Sequence, residues 1–364
     1  MSIKLNECKV WVLAPYLISG KETIEYYYDY SQSIAEYKRA FETLSITWQW
    51  QAVTMENYKI VIDQIAQSNE HKNQLVFNLC DGDEIHLTPG ISVIHYLEEK
   101  GICYTGSDAY FFGITTSKIT MKQAFDCYAV PTASWKSITK HMVDVEPIFK
   151  QLGSPLILKP AVSGGSMGIG IKNVVENAVD CLKQLNNMFQ GYRGWALTEE
   201  GVIAESFING PEYTVFIRGN YHDKKEARIY SPVERVFHDS LPEKEKFLSY
   251  DRLWEIYEEE TAMPNNEFFY KYQLPDISLH KPLQKIAWDA FASCKGTGYA
   301  RIDIRMDLKT KKLFVLEVNA QCGISEDEDY TSIGAILKLS DSSFSELVKS
   351  ILEDAISSTT KHSA

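Results

Sequence analysis

Two alternating segments near the C-terminal end constrain the fold most tightly. Gly298-Tyr-Ala-Arg301-Ile-Asp303-Ile-Arg305-Met306 and Leu313-Phe-Val-Leu-Glu317-Val-Asn319-Ala320 flank the polar stretch Asp307-Leu-Lys-Thr-Lys-Lys312. Period-two alternation around a turn-like segment predicts two strands of an antiparallel hairpin. Alternate residues of a strand share a face, so Arg301, Asp303 and Arg305 fall together, as do Glu317 and Asn319. Three oxygen-bearing side chains, Asp303, Glu317 and Asn319, then converge beside one fixed cation, Arg301. Mg²⁺ suits such a set, because it takes one or two carboxylates and completes its shell with phosphate oxygens and water. The same hairpin also reads as an amphipathic pair with a charged outer face, and the two strands alone do not choose.

The remainder of the chain has ample apolar material for more than one core: 364 residues, 45% hydrophobic and 24% charged. A net charge of −12 argues against non-specific binding to nucleic acid or anionic membrane. Anionic ligands must be held by local cations. Seven cysteines, an odd number without a C-x-x-C pair, exclude neither redox state but fit a reducing cytoplasm better than a disulfide framework or a zinc knuckle. The first apolar run, Val10 to Leu13, is too short for a signal segment or a membrane span.

Strands are expected at Val10–Pro15, Ile46–Ala52 and Gln74–Asn78, alternating with helical stretches at Ile24–Leu44 and Pro89–Lys100. That alternation predicts a parallel α/β lobe, whose ligands gather at the carboxyl ends of strands, here Asn78, Asp81 and the loop after Asp83. The cluster Tyr26-Tyr-Tyr28-Asp-Tyr30 reads as packing more readily than as a substrate contact. In the helical stretch that follows, Lys118 and Lys122 at i and i+4 share a face; a solvated face and a pair of phosphate ligands are both open. Lys159 precedes a proline at a strand end. It leads into a loop with glycines at 164, 165, 168 and 170, whose backbone N–H groups suit a flap over phosphate. A helix is expected over Val174–Gln190. Beyond it, Val202-Ile-Ala-Glu205-Ser206-Phe-Ile208-Asn-Gly210-Pro-Glu212 brings one carboxylate to a strand end and another to the next strand's start, a pattern that suits adenine and ribose. The charged, aromatic segment 243–260 reads as a mobile loop closing over a site.

Taken in order, Lys118, Lys159-Pro with its glycine-rich flap, Glu205…Gly210-Pro-Glu212, Arg301-Ile-Asp303 and Glu317-Val-Asn319 resemble the ATP-grasp ligases, and among them the D-alanine–D-alanine ligase family. The resemblance covers nearly the whole chain. It implies an α/β (α+β) ATP-grasp fold of three lobes: 1–110 with a Rossmann-like parallel sheet, 111–197 carrying the flap, and 198–364 carrying the metal site, with ATP held between the last two. It also implies ADP-forming C–N ligation with ATP and Mg²⁺, two ions in all, by a cytoplasmic homodimer acting on small molecules. By position, Lys118 and Lys159 would contact phosphates under a flap of Gly164, Gly165, Ser166 and Met167. Glu205, Ser206, Ile208 and Leu316 would hold adenine, and Glu212 the ribose. Arg301, Lys159 and Ser166 would serve catalysis, and Asp303, Glu317 and Asn319 the metal.

The first-substrate half departs from the family pattern. Ala14-Pro-Tyr-Leu-Ile-Ser-Gly20-Lys-Glu22 stands where the family carries Gly-Gly-x-Ser…Glu, Asn78-Leu-Cys-Asp81-Gly-Asp83-Glu replaces its His-Gly…Glu-Asp-Gly loop, and Gly165 replaces a flap serine. Gln321-Cys-Gly323-Ile-Ser-Glu-Asp-Glu328-Asp329 follows the metal ligands, its acidic run unsuited to a plain carboxylate. Arg252 is nearest to the missing loop lysine. Asn78, Asp81, Arg252, Gly323, Glu328 and Asp329 are therefore the expected acceptor residues. The Asn-Leu-Cys-Asp-Gly loop and Tyr250-Asp-Arg-Leu-Trp254 resemble the branch of the family in mycosporine-like amino acid biosynthesis, which joins serine, threonine or glycine to the cyclohexenone mycosporine-glycine. The alternatives are an amino-acid dipeptide ligase and a nucleotide-binding module without catalysis.

Overall fold

A computed structural model describes residues 4–17, 29–69, 71, 73–140 and 144–362. The segment Ser19–Glu22, most of the tyrosine cluster and the start of the helix expected from Ile24 lie outside the described residues.

The N-terminal lobe alternates β1 (Cys8–Pro15), α1 (Ser31–Leu44), β2 (Thr47–Val53), α2 (Tyr58–Gln67), β3 (Asn73–Asn78), α3 (Ile91–Glu99) and β4 (Cys103–Tyr104). Its sheet has the order β2-β1-β3-β4 and every pair in it is parallel, as the strand–helix alternation predicts. Two short helices, α4 (Ala109–Thr116) and α5 (Lys118–Cys127), lead out of it. Asp108 and Ser117 cap them through their side chains, accepting from the N–H groups of Phe111 and Ile119.

A second sheet runs β5-β8-β6-β7, built from β5 (Trp135–Ile138), β6 (Leu156–Pro160), β7 (Val174–Val175) and β8 (Val202–Ser206), with α6 (Glu146–Leu152) and α7 (Ala178–Phe189) packed on it. Two expectations change here. The helix begins at Ala178 because the β-branched Val174 and Val175 pair with Ile157 and Leu156 instead. The lobe also extends beyond 197, since β8 is hydrogen-bonded between β5 and β6. Helices α4 and α5, conversely, bury Phe111, Met121 and Phe125 with the third lobe.

That lobe is an antiparallel sheet of order β12-β11-β9-β13-β14, with β10 (Arg228–Ile229) on β9: β9 (Glu212–Asn220), β11 (Val233–Phe237), β12 (Tyr270–Gln273), β13 (Thr297–Met306) and β14 (Leu313–Ala320). The short α8 (Tyr250–Leu253) sits in the segment before β12, and α9 (Ile277–Ser293) covers one face of the sheet. Helices α10 (Ser332–Leu339) and α11 (Phe344–His362) run against the N-terminal lobe, where Tyr37, Phe41 and Phe77 share a core with Phe216, Tyr299, Phe344 and Val348. No helix among the described residues is long and apolar enough to cross a membrane.

Candidate active site

Register alone assembles the centre of the site. Asp303 lies opposite Thr214 on one side and Glu317 on the other, and Arg301 opposite Asn319. Arg301 donates from Nε and Nη2 to Asp303 Oδ2 at 3.1 and 3.0 Å. Asn319 Nδ2 donates to the same oxygen at 3.1 Å and reaches Glu317 Oε1 at 3.4 Å, while Thr214 Oγ1 donates to Asp303 Oδ1 at 2.8 Å. The charged face of the hairpin is thus gathered rather than solvated. The Asn319 amide stands between two carboxylates, the place where a cation would neutralise them, and a half-turn of that amide presents its oxygen. No three His, Cys, Asp or Glu side chains among the described residues are placed to hold a metal ion by themselves. A cation here would draw on two carboxylates, one amide and substrate or water oxygens, a set that fits Mg²⁺. The pairing slips between Asp303–Glu317 and Ile304–Val315, which leaves Leu316 as the extra residue of a β-bulge beside this cluster.

Three more charges meet in the adjacent sheet. Lys159 from the end of β6 and Lys122 from α5 reach the two oxygens of Glu205 on β8, at 2.7 and 2.8 Å. Burial opposes the charge of Glu205, but the two ammonium groups outweigh it and hold the carboxyl at about 2. Lys122 is wholly buried and Lys118 nearly so, which rules out the solvated face. Lys118 donates from Nζ to the carbonyl of Ser163 at 3.0 Å, at the root of the flap, and burial pushes its ammonium pKa down.

The flap itself turns through Gly165, Ser166 and Gly168, all with left-handed φ of 53°, 61° and 72°. At Gly168 the left-handed backbone disfavours a side chain, and a Cβ would also displace Leu197 Cδ1, 2.7 Å away. Asn173 anchors the far end, donating to the carbonyls of Leu158 and Gly168 at 2.8 and 3.0 Å. The segment 243–260 is docked onto this flap. Trp254 Nε1 donates to the Gly165 carbonyl at 2.9 Å, Tyr250 N–H to that of Ile169 at 2.8 Å, and Met167 packs with Tyr250 and Leu197.

Several expected residues are placed otherwise. Arg252 is buried between Glu245 and Glu260, at 2.8 and 3.4 Å, and braces the docked segment instead of facing the cleft. Glu212 is buried between Arg235 and Arg305, with each of its oxygens engaged by a guanidinium group. Ser206 N–H bonds the Ser134 carbonyl, and the Ile208 carbonyl accepts from Arg305 at 3.0 Å. Asn78 is fully buried and caps the N–H of Cys80 at 3.0 Å. Glu328 pairs on the surface with Lys338 at 2.9 Å, and Asp329 and Gly323 are exposed outside the cleft lining. The acidic run has a different use. Glu326 pairs with Arg39 and accepts from it at 3.1 Å, and Asp327 accepts from Gln32 at 2.9 Å, both on α1.

Between the flap, α4 and the loop after β3 lies a cleft of about 230 Å³, into which Asn319 and Gly165 face from one side and Asp81, Asp83, His86 and Phe112 from the other. Its described lining holds no lysine or arginine. Asp81 is open to this cleft, yet the enclosing walls, with Asp83 adding repulsion, push its carboxyl up to about 6. Sequence reasoning did not single out Lys122 as the partner of Glu205, nor Thr214, His86 or Gln321. Gln321, buried with φ of 56°, accepts from Ser107 N–H at 2.9 Å and donates to the Asn78 carbonyl, joining the end of β3 to the end of β14.

Residues 124–353 match the family model described as D-ala D-ala ligase C-terminus. The chain belongs to this family. As a D-alanine–D-alanine ligase-like protein it is an ATP-grasp enzyme that forms carbon–nitrogen bonds, and the family works with ATP and Mg²⁺. It is 29% identical over 260 residues to a D-alanine–D-alanine ligase of Marinobacter nauticus, covering 71% of this chain and 69% of that one. The corresponding ligase of Idiomarina loihiensis is 26% identical over 266 residues, 70% of this chain and 72% of the relative. The crystal structure of the Bacillus anthracis D-alanine–D-alanine ligase complexed with ATP superposes with a TM-score of 0.65 at 17% identity, over 97% of this chain and 99% of that chain. The Coxiella burnetii ligase gives 0.65 at 15% identity over 98% and 97%. These likenesses establish the ATP-grasp fold.

Proposed function

We propose that this ATP-grasp ligase phosphorylates an acceptor oxygen and condenses the activated acceptor with the amine of a free amino acid, releasing ADP and phosphate. The observation that carries the proposal is the clustering of Asp303, Glu317 and Arg301 around Asn319, whose side chain lines a cleft bordered by the glycine-rich flap. Bound Mg²⁺, two ions in this reading, supplies charge neutralisation for the transferring phosphoryl group. Asp303, Glu317 and Asn319 hold the metal. Arg301, fixed by Asp303, presents its remaining N–H groups to the phosphoryl oxygens. Lys118 and Lys159 serve the phosphates, Lys159 leaving Glu205 partly to Lys122 when it does so. The flap residues Gly164 to Met167 exclude water from the activated acceptor, with the Ser166 hydroxyl at their turn. Ser206, Ile208 and Leu316 border the adenine side.

Two acceptors suit this chemistry. The curated relatives favour an amino-acid carboxylate and hence a dipeptide ligase of the D-alanine–D-alanine type. The rewritten loop at Asn78–Asp83 and a cleft lining without lysine or arginine favour an acceptor with few negative groups near Asp81 and Asp83, such as the hydroxylated cyclohexenone mycosporine-glycine. In that case the ketone oxygen, conjugated as a vinylogous carboxylate, is phosphorylated and the amine replaces phosphate as an imine. Purified protein with ATP, Mg²⁺, mycosporine-glycine and threonine should then show absorbance moving to longer wavelength alongside ADP release. ADP release with pairs of amino acids and a dipeptide mass assigns the other acceptor, and ATP binding without turnover on any pair refutes both. A cytoplasmic homodimer belongs to the same reading, supported on the first point by seven free cysteines.

A further inference from the structure

The loop after β3 contains a histidine that the family pattern does not account for. His86 Nδ1 lies 2.6 Å from Asp83 Oδ2, and the His86 backbone N–H donates to Asp83 Oδ1 at 2.9 Å. One carboxylate thus fixes both the ring and the turn that carries it. Both side chains are nearly buried, at 9% and 13% exposure, yet both line the cleft that faces Asn319 and the flap. The other ring nitrogen, Nε2, is buried and has no hydrogen-bond partner. A buried polar atom left unpaired costs about 1–3 kcal/mol, and the pairing at Nδ1 determines what Nε2 offers. With Nδ1–H donated to the carboxylate, the neutral imidazole presents an acceptor lone pair at Nε2.

The loop is held open to such a role by its backbone. Glu84 and Leu87, on either side of the turn, have left-handed φ of 62° and 65°. Glu84 ties its own end down by accepting from Ser92 N–H and Oγ–H, the latter at 2.7 Å. Leu87 is 64% exposed. An uncommon conformation maintained by polar ties, with an unpaired nitrogen at its inner face, matches a ligand-contacting turn.

We infer that the Asp83–His86 pair is a specificity element of the acceptor site, in which Asp83 fixes the Nδ1–H tautomer and His86 Nε2 accepts a hydrogen bond from a hydroxyl or ammonium group of the acceptor. The inference rests on the ligase reading above. Asp81, at the mouth of the same loop, adds a second acceptor oxygen, so the loop recognises a donor-rich face. A substrate presenting a ring hydroxyl and one presenting an α-ammonium share this chemistry, and the two acceptor assays separate them.

Steady-state kinetics of His86→Gln, His86→Phe and Asp83→Asn, with ATP and acceptor varied separately, test it. The expected result for His86→Phe and Asp83→Asn is a rise of roughly tenfold in KM for the acceptor, the loss of about one buried hydrogen bond, with KM for ATP unchanged. His86→Gln, whose amide can still present an oxygen, should recover part of the loss. Asp83→Asn is informative because it keeps the shape while allowing the ring to turn its proton to Nε2. A parallel measurement on the free protein, the ¹⁵N shifts of the His86 ring assigned by difference with His86→Gln, should show the neutral ring carrying its proton on Nδ1 and none on Nε2. A protonated Nε2 overturns the inference whatever the substrate proves to be. Wild-type turnover with unchanged acceptor KM in all three variants also overturns it while leaving the ligase reading intact. An inactive wild type counts against the ligase reading, and the ring shifts then decide the His86 assignment.

Discussion

Lys122 Nζ and Glu205 Oε1 stand 2.8 Å apart with neither side chain more than 2% exposed. They are 83 residues apart in sequence and belong to a helix and a strand of different packing units. Removing one partner of such a pair strands a buried charge, which costs about 3–5 kcal/mol. Lys122→Met should therefore lower the thermal midpoint far more than a surface lysine change, and calorimetry checks it. Retention of the wild-type midpoint would show that Lys159 alone satisfies Glu205.

The same carboxylate gives an acid limb. Its folded pKa, about 2, lies below the ordinary value of 4.5, so its contribution is fully present above pH 4.5 and is lost as pH falls toward 2. Asp81 acts in the opposite sense. Its folded value, about 6, exceeds the ordinary 3.8, so whatever stability it adds is present below pH 3.8 and lost as pH rises through 6. Denaturant titrations of Glu205→Gln and Asp81→Asn across pH 3 to 7 should flatten these two limbs separately.

Asp303→Ala and Glu317→Ala should each abolish measurable turnover, a loss on the order of 10²-fold or more, with circular dichroism unchanged. Lys159→Ala should cost about 3 kcal/mol of transition-state stabilisation. Turnover surviving either carboxylate change sinks the metal assignment.

Trp254→Phe keeps the ring that packs near Tyr250 but removes the N–H that holds the Gly165 carbonyl. A loss of about 1 kcal/mol is expected, read as a rise of roughly fivefold in KM for ATP and faster proteolysis within 243–260. If neither moves, the docked segment is held without the Trp254 bond, by the Tyr250 contacts and the buried ion pairs.

Glu328→Gln and Asp329→Asn should leave the choice of acceptor unchanged, because Glu328 is spent on Lys338 and both lie outside the cleft lining. Competition between two acceptors measures this, and a shifted ratio returns the acidic run to the site.

Much of this charged strand face was legible because strands encode it locally. Arg301, Asp303, Glu317 and Asn319 announce themselves by alternation, and hydrogen-bond register does the rest. The flap was legible for a similar reason, its glycines marking left-handed turns. What could not be read depends on distant partners. An i, i+4 lysine pair has the same pattern on a wet helix as on a buried one, and only Glu205 distinguishes Lys122. The acidic run 326–329 was expected at the acceptor from its position after the metal ligands, whereas Arg39 and Gln32 draw its first half onto α1. Composition marks the segment 243–260 as a loop without naming its partners: Arg252 pairs within it with Glu245 and Glu260, whereas Glu258 and Glu259 pair with Arg193 and Lys172 outside it. The bulge at Leu316 leaves no trace in alternation that a regular strand would not also give.

Gln321 has a mechanical consequence. Through one side chain it fastens the strand bearing Glu317 and Asn319 to the end of β3, ahead of the loop bearing Asp81 and His86, and the shared core of Tyr37, Phe77, Phe216 and Phe344 locks the same two lobes over a wider area. The third unit, with β6, β8 and the flap, keeps a core of its own. The hairpin of β13 and β14 and the loop after β3 are therefore buttressed by one core, and the strand that carries Lys159 by another. A change that loosens the first core reaches Asn319 and Asp81 together, and leaves the packing beneath Lys159 to the second.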